Sequence, residues 1–565
     1  AGGDPLYVED VFSTYLYDGT NTTLGINNGI DLAGEGGMVW CKSRTATASY
    51  AHNVFNTESG IGKFVQTQAT TAELTAPAGY SLTSFNSDGF SLGTNYNNEN
   101  RYFINSQTTN VSWTFRKAEK FFDIQTWSGN DSANRQLSHN LGSVPGMMIV
   151  KKTTGAYAWQ IYHVSNGNTK FMEFGSFRVQ TSSAVWNNTT PTDSVFTVGN
   201  EYGVNQSGSD YVAYLFASEA GGYGDDGTEN IVKCGMFTGP DATTLTAVDL
   251  GFEPQFIMYK SITAGDNWRM HDNMRGWDVE SRELLNPNEA ATESNLSNTS
   301  GYDLTPTATG FTHKGFYDSG AGISSIYIAI RRPMKTPEAG TEVYTTIARA
   351  GNNVTTQIPT GFTTDMFLSA TRNQTWYHDA VWDRLRGTSK FVLTSTTGPE
   401  QGNTAQFTSF DQDGITVGPD SSGWINNAGA TYVYNLFKRA AGFMDVVAYS
   451  GDGTTGRVVN HNLGVKPELI ISKARSKSDN WWVGQGFTST QVDHLLLLES
   501  SNGDAVSNDT YPAARFYNEP TSTSYTIVAD NSINGTGETY IAYLFATLAG
   551  VSKVGSYTGT AATLN

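Results

Sequence analysis

A strand-like phrase that recurs along the chain is the feature that most constrains its fold. The five copies are NVSWTFRKA (110–118), YVAYLFASEAG (211–221), YIAIRRPMK (327–335), YVYNLFKRAAG (432–442) and YIAYLFATLAG (540–550). Self-similarity at a regular period indicates one structural unit copied in tandem. The matching positions Phe115, Phe216, Arg332, Phe437 and Phe545 give spacings of 101, 116, 105 and 108 residues.

A second phrase, an opening strand with a small polar turn, accompanies the first. Its copies are FSTYLYDGT (12–20), FFDIQTWSGN (121–130), VKCGMFTGPD (232–241), VYTTIARAGNN (343–353), FMDVVAYSGDG (443–453) and KVGSYTGTA (553–561). Together the phrases predict five modules, each of a length typical of one β-sandwich. The predicted boundaries are 1–119, 120–229, 230–340, 341–441 and 442–551, with the start of a sixth module at 552–565. The partial sixth copy leads us to expect a longer protein.

The composition favours an all-β fold. Only 16% of the residues are charged, against about 25% in an ordinary soluble domain, and Gly supplies 59 positions. Tyr, Phe, Thr, Ser and Asn suit pleated strands that are joined by turns. We therefore predict a tandem array of antiparallel β-sandwiches of jelly-roll or lectin-like type.

The connectors between the predicted modules are short, which favours a stiff chain. Five modules of about 34 Å in a line would extend on the order of 170 Å. We expect bending mainly at the two longer connectors, 218–230 and 331–341.

Net charge and apolar runs exclude two classes of partner. A net charge of −18 argues against a phosphate-neutralising surface, so we expect no nucleic acid. The longest apolar runs, such as YVAYLFA and HLLLL, are too short to span a bilayer, so we expect no membrane insertion. Cys41 and Cys234 lie in apolar strand-like runs of different modules, where they are predicted to be buried hydrophobes.

The stretch HNLGSVPGMMIVKK (139–152) resembles the mouth of an active site, and it returns as HNLGVKPELIISKA (461–474). The aligned segments of the other modules replace His-Asn by Ile-Asp, Val-Asp or Ile-Pro. All of these segments keep a turn that is followed by an apolar strand, and this strand usually ends in Lys. A turn needs only Gly and a short polar side chain. His139-Asn140 and His461-Asn462 are therefore predicted to form a structural turn.

A second histidine pattern follows that strand. His52, His163, His271 and His378 each come two to four residues after an aromatic residue, as in WQIYHV and WRMHDN. One hypothesis is a shallow aromatic and polar surface for glycans. The alternative, which we favour, is a strand whose Trp packs in the sandwich core while its neighbour faces solvent.

Motifs of enzymes and metal sites are missing. The chain has no P-loop or H-E-x-x-H motif, and its G-x-S-x-G and G-x-G-x-x-G spacings, such as GFSLG (89–93) and GDGTTG (451–456), lie in predicted hairpins and turns rather than in a strand-turn-helix context. The Asp-Gly pairs in TSFNSDGFSLG and TSFDQDGITVG predict tight hairpins rather than calcium loops. Acidic residues in YGDDGTEN (223–230) and WDRLRG (382–387) lie in no recognisable acid/base context. We predict no catalytic, cofactor-binding or metal-binding residue, although a polysaccharide depolymerase stays open because such sites carry no local signature.

The phrases VFSTYLYDGT, GIDLAGEGGMVWCKSR, SFNSDGFSLG and HNLGSVPGMMIVKK resemble a tandem domain of unknown function found in tail-fibre-like virion proteins of marine and cyanobacterial phages. The resemblance implies a non-enzymatic virion protein, a tail fibre or appendage that contributes to host attachment. Expected partners are other virion proteins, further copies of the chain (a trimer is favoured) and host surface glycans. The alternatives are a capsid decoration or head-fibre protein, and a carbohydrate-binding module array.

Overall fold

A computed structural model describes most of the chain. The described residues are 4–45, 50–94, 104–106, 108–175, 179–239, 241, 244–263, 265–279, 281–297, 304–314, 322–333, 335–374, 379–402, 406–487, 492–500 and 519–557. They form two compact units. Unit 1 contains residues 1–306 and 310–333, and unit 2 contains residues 307–309 and 334–565.

Antiparallel strands dominate both units, as the composition predicts. Those of unit 1 are β1 (Phe12–Asp18), β2 (Leu24–Asn27), β3 (Gly37–Ser43), β4 (Asn53–Asn56), β5 (Lys63–Gln66), β6 (Leu74–Thr75), β7 (Leu82–Asn86), β8 (Gly89–Leu92), β9 (Thr109–Arg116), β10 (Phe122–Ser128), β11 (Arg135–Ser138), β12 (Met147–Lys152), β13 (Gln160–His163), β14 (Lys170–Phe171), β15 (Gln180–Thr181), β16 (Val195–Val198), β17 (Asp210–Phe216), β18 (Val232–Gly239), β19 (Thr246–Asp249), β20 (Pro254–Ser261), β21 (Arg269–Asp272), β22 (Ser281–Leu284), β23 (Ser294–Ser297), β24 (Leu304–Thr307), β25 (Gly310–His313) and β26 (Ile323–Arg331).

The strands of unit 2 follow in the same manner. They are β27 (Tyr344–Ala350), β28 (Thr356–Ile358), β29 (Met366–Thr371), β30 (Ala380–Asp383), β31 (Lys390–Leu393), β32 (Gln401–Gly402), β33 (Phe407–Phe410), β34 (Ile415–Val417), β35 (Thr431–Phe437), β36 (Met444–Ser450), β37 (Arg457–Asn460), β38 (Leu469–Ala474), β39 (Trp481–Phe487), β40 (Val492–Leu497), β41 (Ser524–Ile527) and β42 (Thr539–Phe545). Short helices accompany the strands: α1 (Ser183–Trp186), α2 (Tyr202–Asn205), α3 (Asn531–Asn534), and the 3-10 turns Val8–Asp10 and Gly340–Glu342.

Five large sheets share one strand order, in which the closing strand lies between the opening strand and the strand after the HNLG-type turn. They are β1-β9-β3-β4-β5-β6, β10-β17-β12-β13, β18-β26-β20-β21, β27-β35-β29-β30-β31-β32 and β36-β42-β38-β39-β40. A smaller sheet accompanies each: β2-β8-β7, β11-β16, β19-β25-β24, β28-β34-β33 and β37-β41. We call each pair of sheets a sandwich, numbered from first to fifth. The predicted tandem β-sandwich class is confirmed, while the exact number of modules and their boundaries stay predictions.

Alternation along the strands builds the core of each sandwich. In the first sandwich, Val39 and Phe55 of the large sheet pack with Ile26 and Phe90 of the small sheet. The predicted tight hairpin is present between β7 and β8, where Asn86 pairs with Gly89. We call the face of each large sheet that points away from its own small sheet the outer face.

The register in the third sandwich differs from the sequence alignment. Ile330 pairs with Val232, just as Phe216 pairs with Phe122 in the second sandwich. Ile330, rather than Arg332, therefore occupies the position of Phe216. The error is two residues, which leaves every side chain on its expected face because the strand period is two.

The first three sandwiches do not form a line. One continuous hydrophobic core includes Trp113 of the first, Tyr214 of the second and Ile328 of the third. The expected extended arrangement is therefore wrong within unit 1, because the outer faces bury one another. The connector expected to bend also packs closely: Tyr223 is buried, and its hydroxyl donates to Glu119 O over 2.9 Å.

Candidate functional site

The HNLG stretch of the second sandwich is the turn that its sequence predicts. His139 is buried, and its Nδ1 accepts a hydrogen bond from Leu141 N at 3.2 Å. Asn140 N donates to Oδ2 of the buried Asp123 at 2.8 Å. Burial lowers the pKa of His139. The imidazole is thus a neutral acceptor that satisfies the backbone of the turn.

The fifth sandwich repeats these bonds with the same atoms. His461 Nδ1 accepts from Leu463 N at 3.2 Å, and Asp445 Oδ2 accepts from Asn462 N at 2.7 Å. In the third sandwich Val248 stands in place of the histidine, and Asp249 Oδ1 instead accepts a hydrogen bond from the next backbone N–H of the turn, Gly251 N, at 2.9 Å. Four sandwiches have glycine with positive φ at the turn: Gly142, Gly251, Gly361 and Gly464.

The histidines of the second sequence pattern, which come two to four residues after an aromatic residue, are buried where they are described, contrary to the expectation that they face solvent. His52 and His271 are 0% exposed and His163 is 1% exposed, while His378 lies outside the described residues. The expectation fails because the outer face of each large sheet in unit 1 is covered by another sandwich. Burial lowers the pKa of His163 to about 4 and that of His271 well below its ordinary value.

The tryptophans that directly precede β13 and β21 are also buried, at 3% exposure for Trp159 and 1% for Trp268. Each indole donates to a backbone carbonyl of the preceding sandwich. The bonds are Trp159 Nε1 to Gln66 O at 3.1 Å, Trp268 Nε1 to Glu173 O at 3.1 Å, and Trp481 Nε1 to Leu393 O at 2.8 Å. Because they are covered, Trp159 and Trp268 do not form the shallow glycan surface that their spacing suggested.

A second recurring contact is made by the last residue of the strand that stands fourth in the order of a large sheet, namely β4, β13, β21 or β30. The bonds are Asn56 Nδ2 to Tyr214 Oη at 3.1 Å, His163 Nε2 to Tyr327 O at 3.0 Å, Trp113 Nε1 to Asp272 Oδ2 at 3.0 Å and Tyr543 Oη to Asp383 Oδ2 at 2.8 Å. The first three run from the first sandwich to the second, from the second to the third, and from the third back to the first. Unit 1 is therefore a closed ring of three sandwiches. The fourth bond joins the fourth sandwich to the fifth.

In the third and fourth sandwiches, this last residue (Asp272 or Asp383) forms a buried ion pair with an arginine. Arg275 Nε lies 2.5 Å from Asp272 Oδ2, and Arg386 Nε lies 2.6 Å from Asp383 Oδ2, with all four side chains fully buried. Each arginine also donates its backbone N–H to the same carboxylate. The acidic residue of WDRLRG is thus paired within the protein.

Two further kinds of contact run in the same direction between neighbouring sandwiches of both units. Backbone bonds join Glu73 N to Thr153 O at 2.9 Å, Glu293 N to Arg44 O at 3.0 Å and Glu400 N to Arg475 O at 2.8 Å. Ammonium groups donate across the interface from Lys42 to Ala290 O at 3.2 Å, from Lys151 to Thr70 O at 3.3 Å and from Lys473 to Thr397 O at 3.3 Å. Burial lowers the pKa of each of these lysines to about 8.

The candidate functional site is therefore the inter-sandwich face itself. The sequence showed that this strand usually ends in Lys, but no contact was predicted for that residue. The Asp-x-x-Arg spacing in HDNMR and DRLR was also missed, although it was a readable signal for an ion pair at a turn.

Other candidates in the described ranges contribute no cluster of ligands. Among these residues, no three His, Cys, Asp or Glu side chains lie close enough to hold a metal ion. Cys41 and Cys234 are buried and free, as predicted. Over the same ranges, no helix has the length and apolar character needed to cross a membrane.

Comparison with models of protein families identifies the family of this chain. The model of a domain of unknown function, DUF7483, matches residues 8–332 and 339–564. The chain belongs to the DUF7483 family. No curated protein and no solved structure matches it. The two matched segments lie on either side of the boundary between the two units.

Proposed function

We propose that this DUF7483 protein is a non-enzymatic structural protein of a bacteriophage virion, a tail fibre or similar appendage that contributes to host attachment. The observation that supports the proposal is the location of the recurring polar and aromatic side chains. The recurring Trp, Asp, Arg and Lys residues are buried between sandwiches, where they bind the protein to itself. Those side chains are then not available to a substrate.

A ring of three sandwiches suits such an appendage. Buried outer faces join the sandwiches through both apolar packing and directional hydrogen bonds, and this combination resists relative motion better than flexible linkers do. A stiff exterior protein can hold a receptor-binding surface away from the particle. We propose other virion proteins and further copies of the chain as its partners, with a virion-exterior location.

Electron microscopy of intact virions tests the assignment. Antibodies against the purified chain, detected with gold particles, are expected on the tail. Pre-adsorption of the antibody with the purified chain is the control for specificity. Label restricted to the capsid would replace the tail fibre by the capsid decoration alternative, and particles without label would contradict a virion role altogether.

Activity measurements on host envelope polysaccharide test the non-enzymatic part. We expect no release of reducing ends above that of the heat-denatured protein. Release that increases in proportion to the amount of folded chain would show a depolymerase. A glycan array with the folded chain separately tests for sugar binding, and any binding found should survive Trp159→Phe, because that residue is covered.

A further inference from the structure

The opening strand of the fourth sandwich exposes two outer-face positions that are buried in each of the other sandwiches. These positions are Tyr344 and Thr346. The corresponding residues of the first sandwich, by register with the closing strand, begin with Phe12 and Thr14, which are both 2% exposed. In the fifth sandwich, the equivalent Met444 and Val446 are buried against the fourth.

The fifth sandwich has the complementary open edge. Its residues Leu469, Ile471 and Leu496 are half-buried. The equivalent Met38 and Trp40 of the first sandwich are 2% and 4% exposed, because the second sandwich covers them. Unit 2 therefore has one open edge of each kind, as a ring of three would have after one member was taken away.

An apolar pocket lies between these open edges. It has a volume of about 540 Å³ and is lined by Tyr344, Phe437, Phe443, Phe545 and Val551, together with the turn at 339–341. The ring centroids of Phe437 and Phe545 are 6.1 Å apart.

The same position in unit 1 is filled. Phe115 and Phe216 correspond to Phe437 and Phe545, and their ring centroids are 5.5 Å apart. Phe256 of the third sandwich completes that cluster, 6.4 Å from Phe115. A third sandwich in unit 2 would bring the residue equivalent to Phe256 into the pocket.

We propose that this open face of unit 2 is the docking surface for a third β-sandwich of the same type, the one that opens at Ser552. Two features select this occupant. The antiparallel bridges Ala118–Phe122, Ala440–Met444 and Leu548–Ser552 are equivalent, and in the first two the second residue begins the next sandwich. Residues 553–561 also repeat the opening phrase of a module.

The fourth sandwich indicates what such a partner must supply. Asn435 occupies the position of Trp113, Tyr214 and Tyr543, and its Oδ1 accepts bonds from Tyr344 Oη at 2.9 Å and Thr346 Oγ1 at 3.0 Å. The residue that faces this position in three of the existing interfaces is Asn56, Asp272 or Asp383. The docked sandwich should therefore present a polar side chain to Asn435 and apolar side chains to Tyr344 and Phe437. This proposal does not depend on a virion role.

Thiol labelling tests the proposal, because both native cysteines are buried. Thr346→Cys is made in the 565-residue chain and in the protein translated from the whole reading frame, including any residues after Asn565. Thr14→Cys, at the equivalent covered position, is the unreactive control. Val354→Cys, at a 55% exposed position of the same sandwich, is the reactive control.

We expect Thr346→Cys to react as fast as Val354→Cys in the 565-residue chain, and more than about tenfold slower in the whole protein at any dilution. Equal reactivity of the two variants in the whole protein would overturn the proposal. Protection in the 565-residue chain that increases with concentration would also overturn it, in favour of a second copy. If Thr346→Cys does not fold, Tyr344→Cys, whose equivalents Phe12 and Met444 are buried, replaces it.

Discussion

The indole of Trp159 offers the sharpest test of the inter-sandwich face. Trp159 is 3% exposed, lies 5.5 Å from Phe174 between ring centroids, and donates to Gln66 O of the first sandwich. A buried tryptophan removes about 200 Å² from water, worth about 5 kcal/mol at about 25 cal/mol per Å². The methyl group of alanine retains about 1 kcal/mol of this stabilisation. Trp159→Ala should therefore lower the unfolding free energy of the surrounding structure by about 4 kcal/mol.

Hydrogen exchange followed by mass spectrometry measures this loss without assuming a two-state transition for the whole chain. We expect peptides that cover β12, β13 and β17 to exchange up to about a thousandfold faster, since 1.4 kcal/mol is a factor of ten. Trp159→Phe keeps most of the packing and loses the N–H donor, so it should cost about 1–2 kcal/mol.

The matched control is Tyr202→Ala, an aromatic residue of the same sandwich that is 58% exposed. Its effect should stay within about 0.5 kcal/mol, as expected for surface positions. If Trp159→Ala were as mild as Tyr202→Ala and abolished binding to a glycan, Trp159 would be a ligand contact rather than a packing residue between sandwiches.

Three further predictions concern titration, ion pairs and thiols. The pKa of His163 is about 4 in the folded protein and about 6.5 in an unfolded chain, so the stability it contributes is complete above pH 6.5. About 3 kcal/mol of it should be lost as the pH falls from 6.5 to 4, and a stability profile of His163→Asn should lack this share. Asp383→Asn should destabilise unit 2 by about 3–5 kcal/mol in urea titration, because it leaves a buried arginine unpaired. Asp452→Asn, which breaks an exposed pair, should cost less than about 1 kcal/mol, and equal effects of the two substitutions would contradict the importance of burial. Cys41 and Cys234 should not react with a thiol reagent at pH 8 until denaturant is added, because burial raises the pKa of both thiols.

The class of fold and the repeating unit could be predicted from the sequence alone. Alternating apolar residues and Gly-rich turns specify strands and hairpins through local physics, so the hairpin at Asn86 and Gly89 could be predicted. Alignment of the repeats within the chain also assigned the stretch at His139 to a turn, because a local backbone requirement recurs wherever the turn recurs.

Which faces of the strands are buried depends on how the sandwiches pack against one another. The period of two identifies two faces, but it does not say that the outer face of one sandwich covers the next. His163 was therefore assigned correctly to a strand, while its burial was missed and Trp159 lies one residue before that strand. Lys151 ends a strand in the sequence, yet its carbonyl partner Thr70 lies 81 residues away in another sandwich. Such contacts depend on how whole sandwiches pack, and no local pattern of residues encodes that arrangement.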